Sequence, residues 1–400
     1  MIMYFDFHTY FRMFRLALKE ENPAGRRRLL FILLAVVPVL ATFNAVCFLL
    51  DVLLFPGLRK VDVRTPVFLI GHARSGTTLM HRLMSMDGER FSSFMLYELY
   101  FPSVLQKKLI RLLAECDRRY LGARIEKRVQ AWEARKFGPT NDMHRMGLTL
   151  PEEDDSILMM SCASGFWIVL FPYMGELDFY YIDRRPEKSR RRMMRFYREC
   201  IRRQLYLNGA DKIHLSKNPL YCGRVEALIE TFPDARIVVL VRNPDETIPS
   251  LLKLLQRGWQ MRHWDDAKIR RALRIVADMS FHTYRYPFEV LARHPAIRQA
   301  TVNYPELIDH PKHTVEQVYR ELGFPVSAAF SAILQKEEQR AKAHETTHSY
   351  NLQEFGLKAD EIHTKLGDFF DRFGWDQTPP GAGEQLAQNI EVMPKGKEGA

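Results

Sequence analysis

The sequence predicts an α/β fold, a parallel sheet flanked by helices, behind a membrane-associated helical segment. Three observations predict it. Short apolar runs bounded by turn residues recur from residue 66 onward, stretches of helical character separate them, and the first 65 residues carry a different, apolar and basic pattern. The chain therefore divides into an N-terminal segment at 1–65, a body at 66–378 and a tail at 379–400. The tail follows Thr378 with Pro379-Pro380-Gly381 and reads as disordered.

The first segment stands apart in composition. Tyr4, Phe5, Phe7, Tyr10, Phe11 and Phe14 crowd the first fourteen positions, with Arg12, Arg15 and Lys19 among or just after them, as in an interfacial helix. Arg26-Arg27-Arg28 then precedes Leu29 to Leu50, where 19 of 22 residues are apolar. About 20 apolar residues suffice to cross a bilayer as a helix. Pro38, Thr42 and Asn44 interrupt the run and Asp51 follows it. The segment therefore reads as a spanning or re-entrant membrane helix bent at Pro38, or else as a monotopic hairpin or buried core helix. A cleavable signal peptide fits poorly, because the stretch begins late, runs long and lacks a small-residue cleavage site. Six Lys/Arg before the stretch and three soon after it favour a cytoplasmic N-terminus if the helix spans. A re-entrant helix keeps the body cytoplasmic as well.

The body justifies the α/β reading element by element. Val67 to Gly71 is a buried strand between Pro66 and a glycine-containing turn, and Thr77 to Met86 is the helix after it. Ile213 to Leu215 and Ile237 to Val241 are further strands, with a helix over Arg224 to Phe232 between them. Ala300 to Asn303 is a fourth strand, followed by a helix from Pro311 to Leu322 closed by Gly323. Residues 105–210 read as largely helical. Within them, ten of the twenty residues from Arg184 to Arg203 are Lys or Arg, a solvated helix face or a contact for anionic lipid. Gly165 to Tyr173 and Phe179 to Tyr181 are dense in apolar and aromatic residues, which suits core packing or the wall of an acceptor pocket.

Composition narrows the function without choosing it. With 46% hydrophobic and 26% charged residues the 400-residue chain is ordinary globular material, which excludes wholesale disorder and fibrous repeats. A formal charge of +10 leaves nucleic acid, anionic membrane or a phosphorylated small molecule as partners. No nucleic-acid module accompanies the basic stretches, so that partner is not expected. Cys47, Cys116, Cys162, Cys200 and Cys222 are scattered without disulfide-framework or zinc-ribbon spacing, and none of the nine asparagines stands in N-x-[ST]. Both facts point to a reducing compartment.

The strongest motif runs from Gly71 through His72, Ala73, Arg74, Ser75, Gly76 and Thr77 to Thr78, between a strand and a helix. Backbone N–H groups of such a loop, with the helix N-terminus, cradle an anion. Thr77 and Thr78 add hydroxyls, and Arg74 adds a planar cation. This is a P-loop-type turn, yet Thr77 stands where a Walker loop has lysine, and no strand ends in a Walker-B aspartate. A metal-dependent nucleotide hydrolase is disfavoured; a threonine-capped glycine turn is the bland alternative. Arg242 follows the Ile237–Val241 strand, and Ser250 lies eight residues on, about two helical turns. At the carboxyl end of a parallel strand, Arg242 faces the ligand crevice, and Ser250 can converge with it on a second anion.

These residues resemble the sulfotransferases that use 3'-phosphoadenosine 5'-phosphosulfate (PAPS). The loop from Gly71 to Leu79 is similar to their 5'-phosphosulfate loop, in its arginine form. Arg242 and Ser250 match the pair that this family uses for the donor's 3'-phosphate. Ser216 to Pro219, Phe232 to Arg236, Val302 to Leu307 and His348 to Tyr350 resemble looser family segments. The resemblance spans about residues 66–375 and implies PAPS as co-substrate. No metal is expected, since a sulfuryl group carries less charge than a phosphoryl group.

The resemblance also implies a base and a charge-stabilising lysine. Glu98, 24 residues after Arg74, stands where related enzymes place a catalytic glutamate; alternatively it pairs structurally with a nearby arginine. Lys217 matches a lysine beside the bridging oxygen, or is a surface lysine. His144 is a second base candidate. Glu152-Glu153-Asp154-Asp155 reads as a helix-N-terminal charge cluster before a site. The expectation is a membrane-associated sulfotransferase acting on a hydroxyl of a lipid, another hydrophobic alcohol or a glycan. Two alternatives stand beside it: an ATP-using kinase on the same architecture, and a non-catalytic membrane protein that keeps the nucleotide pocket.

Overall fold

The computed structural model describes residues 3–138, 146–341 and 359–375. Strands β1 (Val67–Gly71), β2 (Phe91–Ser92), β3 (Ile213–Lys217), β4 (Arg236–Val241) and β5 (Arg298–Asn303) form one parallel sheet in the order β2-β3-β1-β4-β5. Helices α1 (Phe7–Leu18) and α2 (Pro23–Leu54) precede it, and α3 (Thr77–Ser85) follows β1. Between β2 and β3 lie α4 (Leu96–Tyr100), α5 (Val104–Tyr120), α6 (Arg124–Phe137) and α7 (Glu187–Asn208). Helix α8 (Val225–Thr231) leads to β4, and α9 (Pro244–Gln260) and α10 (Asp266–Arg293) lead to β5. Helices α11 (Tyr304–Asp309), α12 (Pro311–Leu322), α13 (Ala328–Ala341) and α14 (Ala359–Phe373) complete the described chain. His144, the His348–Tyr350 segment and the tail at 379–400 lie outside the described residues.

The α/β expectation holds, for a physical reason. Successive side chains of a strand point to opposite faces. Phe68, Ile70, Ile237 and Val239 enter one core, while Val67, Leu69, Val238 and Leu240 enter the other. Both faces are covered by helices, so these strands read as unbroken apolar runs. Strand β2 has only two residues and leaves no such run.

The stretch before α7 is less helical than expected. From 146 to 186 the chain is mostly turns, with a 3-10 stretch at Asp154–Ser161 and one helical turn at Trp167–Leu170. Pro151, Gly165, Pro172, Gly175 and Pro186 break any longer helix. Trp167, Phe171 and Phe179 are core residues, as the packing reading requires. In α7, Arg190, Arg191, Arg202 and Arg203 form ion pairs with Glu230, Glu187, Glu199 and Asp51.

Helix α2 runs through Pro38 without reversing, so the re-entrant bend expected there is replaced by a π-turn at Ile32–Val36. The Val37 N–H reaches back to Ile32 O, which makes room for a proline that has no N–H and whose ring crowds the preceding turn. Leu29, Leu33, Val37 and Phe48 form a stripe that joins the core of the body, with Tyr4, Met13 and Ala17. Two polar residues on the same side are bonded to the body. The Asn44 side-chain amide donates to Tyr100 O and its carbonyl accepts from Gln106. Fully buried Asp51 accepts from the Ser103 hydroxyl at 2.8 Å, from the N–H groups of Val104 and Leu105 at 3.0 and 2.9 Å, and from Arg203 Nε at 2.9 Å.

Candidate active site

The chain leaves β1 toward β2 and β3 on one side, and leaves β4 toward β5 on the other. A crevice at the carboxyl ends of parallel strands opens at such a switch point. The loop from Gly71 to Gly76 enters it from β1, and Arg242 enters from β4. Gly71, at φ +143°, is required because a Cβ there would sit 2.2 Å from Leu240 O. Gly76, at φ +90°, lets the loop pass Tyr304, whose ring would be 2.6 Å from an added Cβ. The Ser75 N–H closes the turn on His72 O at 3.1 Å. Helix α3 then begins at Thr77, leaving its first N–H groups without intrahelical acceptors. Arg74 stands at φ +74°, in the left-handed region.

The Gly71–Thr78 loop and the Arg242–Ser250 motif meet. Arg74 Nε donates to Ser250 Oγ at 3.1 Å. Arg242 reaches Arg74 O at 3.4 Å, donates from Nε to Glu246 at 2.8 Å, and lies 4.1 Å from the centroid of the Tyr304 ring. Thr77 is buried and Thr78 exposed. Ser75 Oγ is fully buried with no hydrogen-bond partner, an orphaned hydroxyl in a loop whose chemistry suits an anion.

Helix α10 clamps both loops from behind, and no local motif announces it. The Tyr284 hydroxyl donates to Arg242 O at 2.6 Å, and its ring stacks on His72 at 5.2 Å. Burial pushes the His72 pKa down to about 4. In the neutral ring, Nδ1 donates to Ala73 O at 2.6 Å and Nε2 accepts from Ser280 Oγ at 2.9 Å.

Lys217 ends β3 beside β1, paired in register with Leu69. It is buried, and its Nζ lies 3.0 Å from Glu153 Oε1. The neighbouring carboxylates have other partners. Asp154 accepts from Tyr197 at 2.6 Å and pairs with His214 at 2.7 Å, while Asp155 pairs with Arg224 at 2.7 Å and accepts from Ser164 at 2.7 Å. Asp154 and Asp155 do open a 3-10 turn, but their oxygens tie strands and helices together. His81, also buried, bonds to Ser93 at 3.0 Å. Burial and then the charge of Lys217 push its pKa to about 4.

Glu98 has a different setting. It is fully buried at the third position of α4, where Oε2 accepts from Met95 N at 3.1 Å. Its Oε1 lies 3.4 Å from Arg111 Nη2 and 3.8 Å from Lys107 Nζ. Burial lowers the pKa of Lys107, and the charge of Glu98 opposes that shift.

An apolar cavity of about 230 Å³ is lined by Gly165, Ile168, Phe179, Tyr181, Leu220 and Met279 among others. Leu220 follows Lys217 by three residues, and Met279 adjoins the Ser280 that holds His72. Among the described residues no group of three or more His, Cys, Asp or Glu could hold a metal ion.

Comparison with known proteins gives a consistent picture. Two curated relatives, both named omega-hydroxy-beta-dihydromenaquinone-9 sulfotransferase Stf3, come from Mycobacterium bovis and Mycobacterium tuberculosis. Each is 26% identical over 326 residues, covering 79% of this chain and 76% of the relative. The crystal structure of sulfotransferase STF9 from Mycobacterium avium shares the fold at a TM-score of 0.69, with 18% identity over 95% of this chain and 94% of that one. Sulfotransferase STF1 from Mycobacterium tuberculosis H37Rv matches at 0.61, with 21% identity over 89% of this chain and 92% of that one. The sulfotransferase family model matches residues 66–328, which hold the sheet, the Gly71–Thr78 loop, the Arg242–Ser250 motif and Lys217. A match across more than half of the chain makes this protein an enzyme of the sulfotransferase family.

Proposed function

We propose that this enzyme moves the sulfuryl group of PAPS to the hydroxyl of a lipid or other hydrophobic alcohol. The observation that carries the donor is the convergence of Arg74, Ser250 and Arg242 on a loop that contains the orphaned Ser75 hydroxyl. Ser75, Gly76, Thr77, Thr78 and Arg74 would hold the 5'-phosphosulfate, and Arg242 and Ser250 the 3'-phosphate. The apolar cavity beside Leu220 supports a hydrophobic acceptor, as does a relative named for a hydroxylated menaquinone derivative. A glycan fits that cavity less well. Membrane contact through residues 1–65 would bring such an acceptor to the site, and five unpaired cysteines support a cytoplasmic body.

The acceptor oxygen bonds to sulfur, its proton passes to a carboxylate, and the bond from sulfur to the 5'-phosphate oxygen breaks with its electrons on that oxygen. Adenosine 3',5'-bisphosphate leaves. Such a transfer is in-line, and positioning does most of the catalysis. Lys217 offsets the charge on the leaving oxygen. For the base the sequence offers Glu98, but both of its oxygens are engaged by Met95, Arg111 and Lys107. The geometry favours Glu153, whose Oε1 lies 3.0 Å from Lys217 Nζ and would be freed to accept a proton as Lys217 turns to the donor.

The test is transfer of label from sulfur-labelled PAPS into lipid and polar extracts, with Glu153→Gln and Glu98→Gln alongside. Label in a lipid band that Glu153→Gln abolishes and Glu98→Gln retains supports the whole reading. Loss with Glu98→Gln alone, in a folded protein, returns the base to Glu98. Label in the polar fraction removes the lipid acceptor, and transfer of phosphate from ATP instead would replace the donor.

A further inference from the structure

The membrane contact need not be confined to residues 1–65. Helix α2 turns one side to the body and holds it there through Asn44 and Asp51, while Leu34, Val39, Val46, Leu49 and Leu53 on its other sides are at least half exposed. A helix that crossed the bilayer would have to detach that buried stripe and break the buried Asp51–Arg203 pair, so α2 is built to lie along a surface.

Helices α5 and α6, next to α2, pose the same problem. Helix α5 packs on α2, and α6 packs on α5. Leu109, Leu112 and Leu113 form an exposed stripe on α5, and Ile125, Val129 and Trp132 form one on α6. No residue of α6 is buried. Spacings of three and four put each set on one helix face. A helix pair that buries so little has nothing to gain from these apolar stripes in water. Of the ten Lys/Arg in residues 104–137 all but the buried Lys107 are exposed, against three Asp/Glu that are not buried, so the polar flanks complement an anionic surface.

We propose that the protein docks in the plane of an anionic bilayer through two neighbouring apolar wings, the outer side of α2 and the α5–α6 pair. Trp132 lies at the headgroup level, where amphipathic aromatic rings reside. The inference goes beyond the sulfotransferase reading, because it needs neither the donor nor the reaction.

Trp132 supplies the test, since it is 44% exposed and the other four tryptophans are buried. The full chain is mixed with vesicles of phosphatidylglycerol and phosphatidylcholine whose acyl chains carry bromine at shallow or deep positions. The expected result is sedimentation with anionic vesicles and quenching of tryptophan by shallow bromines, lost in Trp132→Phe. Leu112→Glu and Leu113→Glu should each weaken partitioning about tenfold, the factor expected when one leucine side chain is kept from apolar surroundings. Binding without quenching of Trp132 would assign the contact to α2 alone and overturn the proposal. No vesicle binding, with concentration-dependent self-association, would give the face to a second copy and overturn it equally. Binding of adenosine 3',5'-bisphosphate by the two glutamate variants should match the wild type, which separates failure of docking from failure of the donor reading.

Discussion

Replacing Asp51 with alanine should remove about 4 kcal/mol of folding stability. Breaking a buried ion pair from one side costs roughly 3–5 kcal/mol, because the remaining charge is left in a poor solvent. Arg203 keeps Glu199 at 3.0 Å and the Phe48 ring at 3.9 Å, which brings its share to the lower end, about 3 kcal/mol. The start of α5 also loses a carboxylate acceptor for Val104 and Leu105, and Ser103 compensates only Leu105. One uncompensated N–H adds about 1 kcal/mol. Against a typical stability of roughly 5–15 kcal/mol the total is large. Urea unfolding followed by circular dichroism, with Asp51→Ala beside Asp62→Ala, measures it. Asp62 pairs with Arg64 on the surface, so its loss should stay within about 0.5 kcal/mol. Equal and small effects of both substitutions would mean that α2 is not docked on the body, and the in-plane arrangement would fall with it.

Further outcomes are expected at the donor site. Arg242→Ala should weaken binding of adenosine 3',5'-bisphosphate far more than binding of ADP, by about 1.5–3 kcal/mol for a charge-assisted contact; calorimetry giving equal losses would remove Arg242 from the 3'-phosphate. Gly76→Ala should abolish nucleotide binding with the far-ultraviolet spectrum unchanged, since the new methyl meets Tyr304 at 2.6 Å and the backbone is left-handed. Stability should fall on acidification through His72 and His81. Both pKa values are depressed from 6.5 to about 4 in the folded chain, so the unfolded chain binds more protons between those limits. Their contribution is complete above about pH 6.5 and declines toward pH 4, by roughly 3 kcal/mol for each ring. Thermal melts across that range, repeated with His81→Asn, should show a shallower pH dependence in the variant.

What the sequence reveals and what it hides differ by range of interaction. Strands β1 and β4 are visible as apolar runs closed by a turn signal, and β3 and β5 as stretches in which apolar and polar residues alternate; the Gly71–Thr78 loop is visible because Gly71 is forced by close approach to the Leu240 backbone and Gly76 by the Tyr304 ring. Strand β2 hides because two residues have no periodicity. The acidic run at 152–155 hides more: four adjacent carboxyl residues look alike in sequence, yet Asp154 holds His214, Asp155 holds Arg224, and Glu153 meets Lys217. Partner choice there is set by segments distant along the chain. The same is true of α2, whose composition reads as a membrane span while Asn44 and Asp51 mark a face built into the body.

The shared interior of α2 and the sheet has a practical consequence for anyone preparing the enzyme. A chain trimmed to begin near residue 66 would not release a well-behaved catalytic fragment. It would strip Phe48 from the guanidinium of Arg203, uncap the start of α5, and open to water the pocket that Leu29, Leu33 and Val37 fill. The trimmed protein should aggregate more than the intact one, although the intact chain is the more hydrophobic of the two. Solubilisation is better sought at the outward leucines and valines of α2, where polar replacements leave that interior untouched.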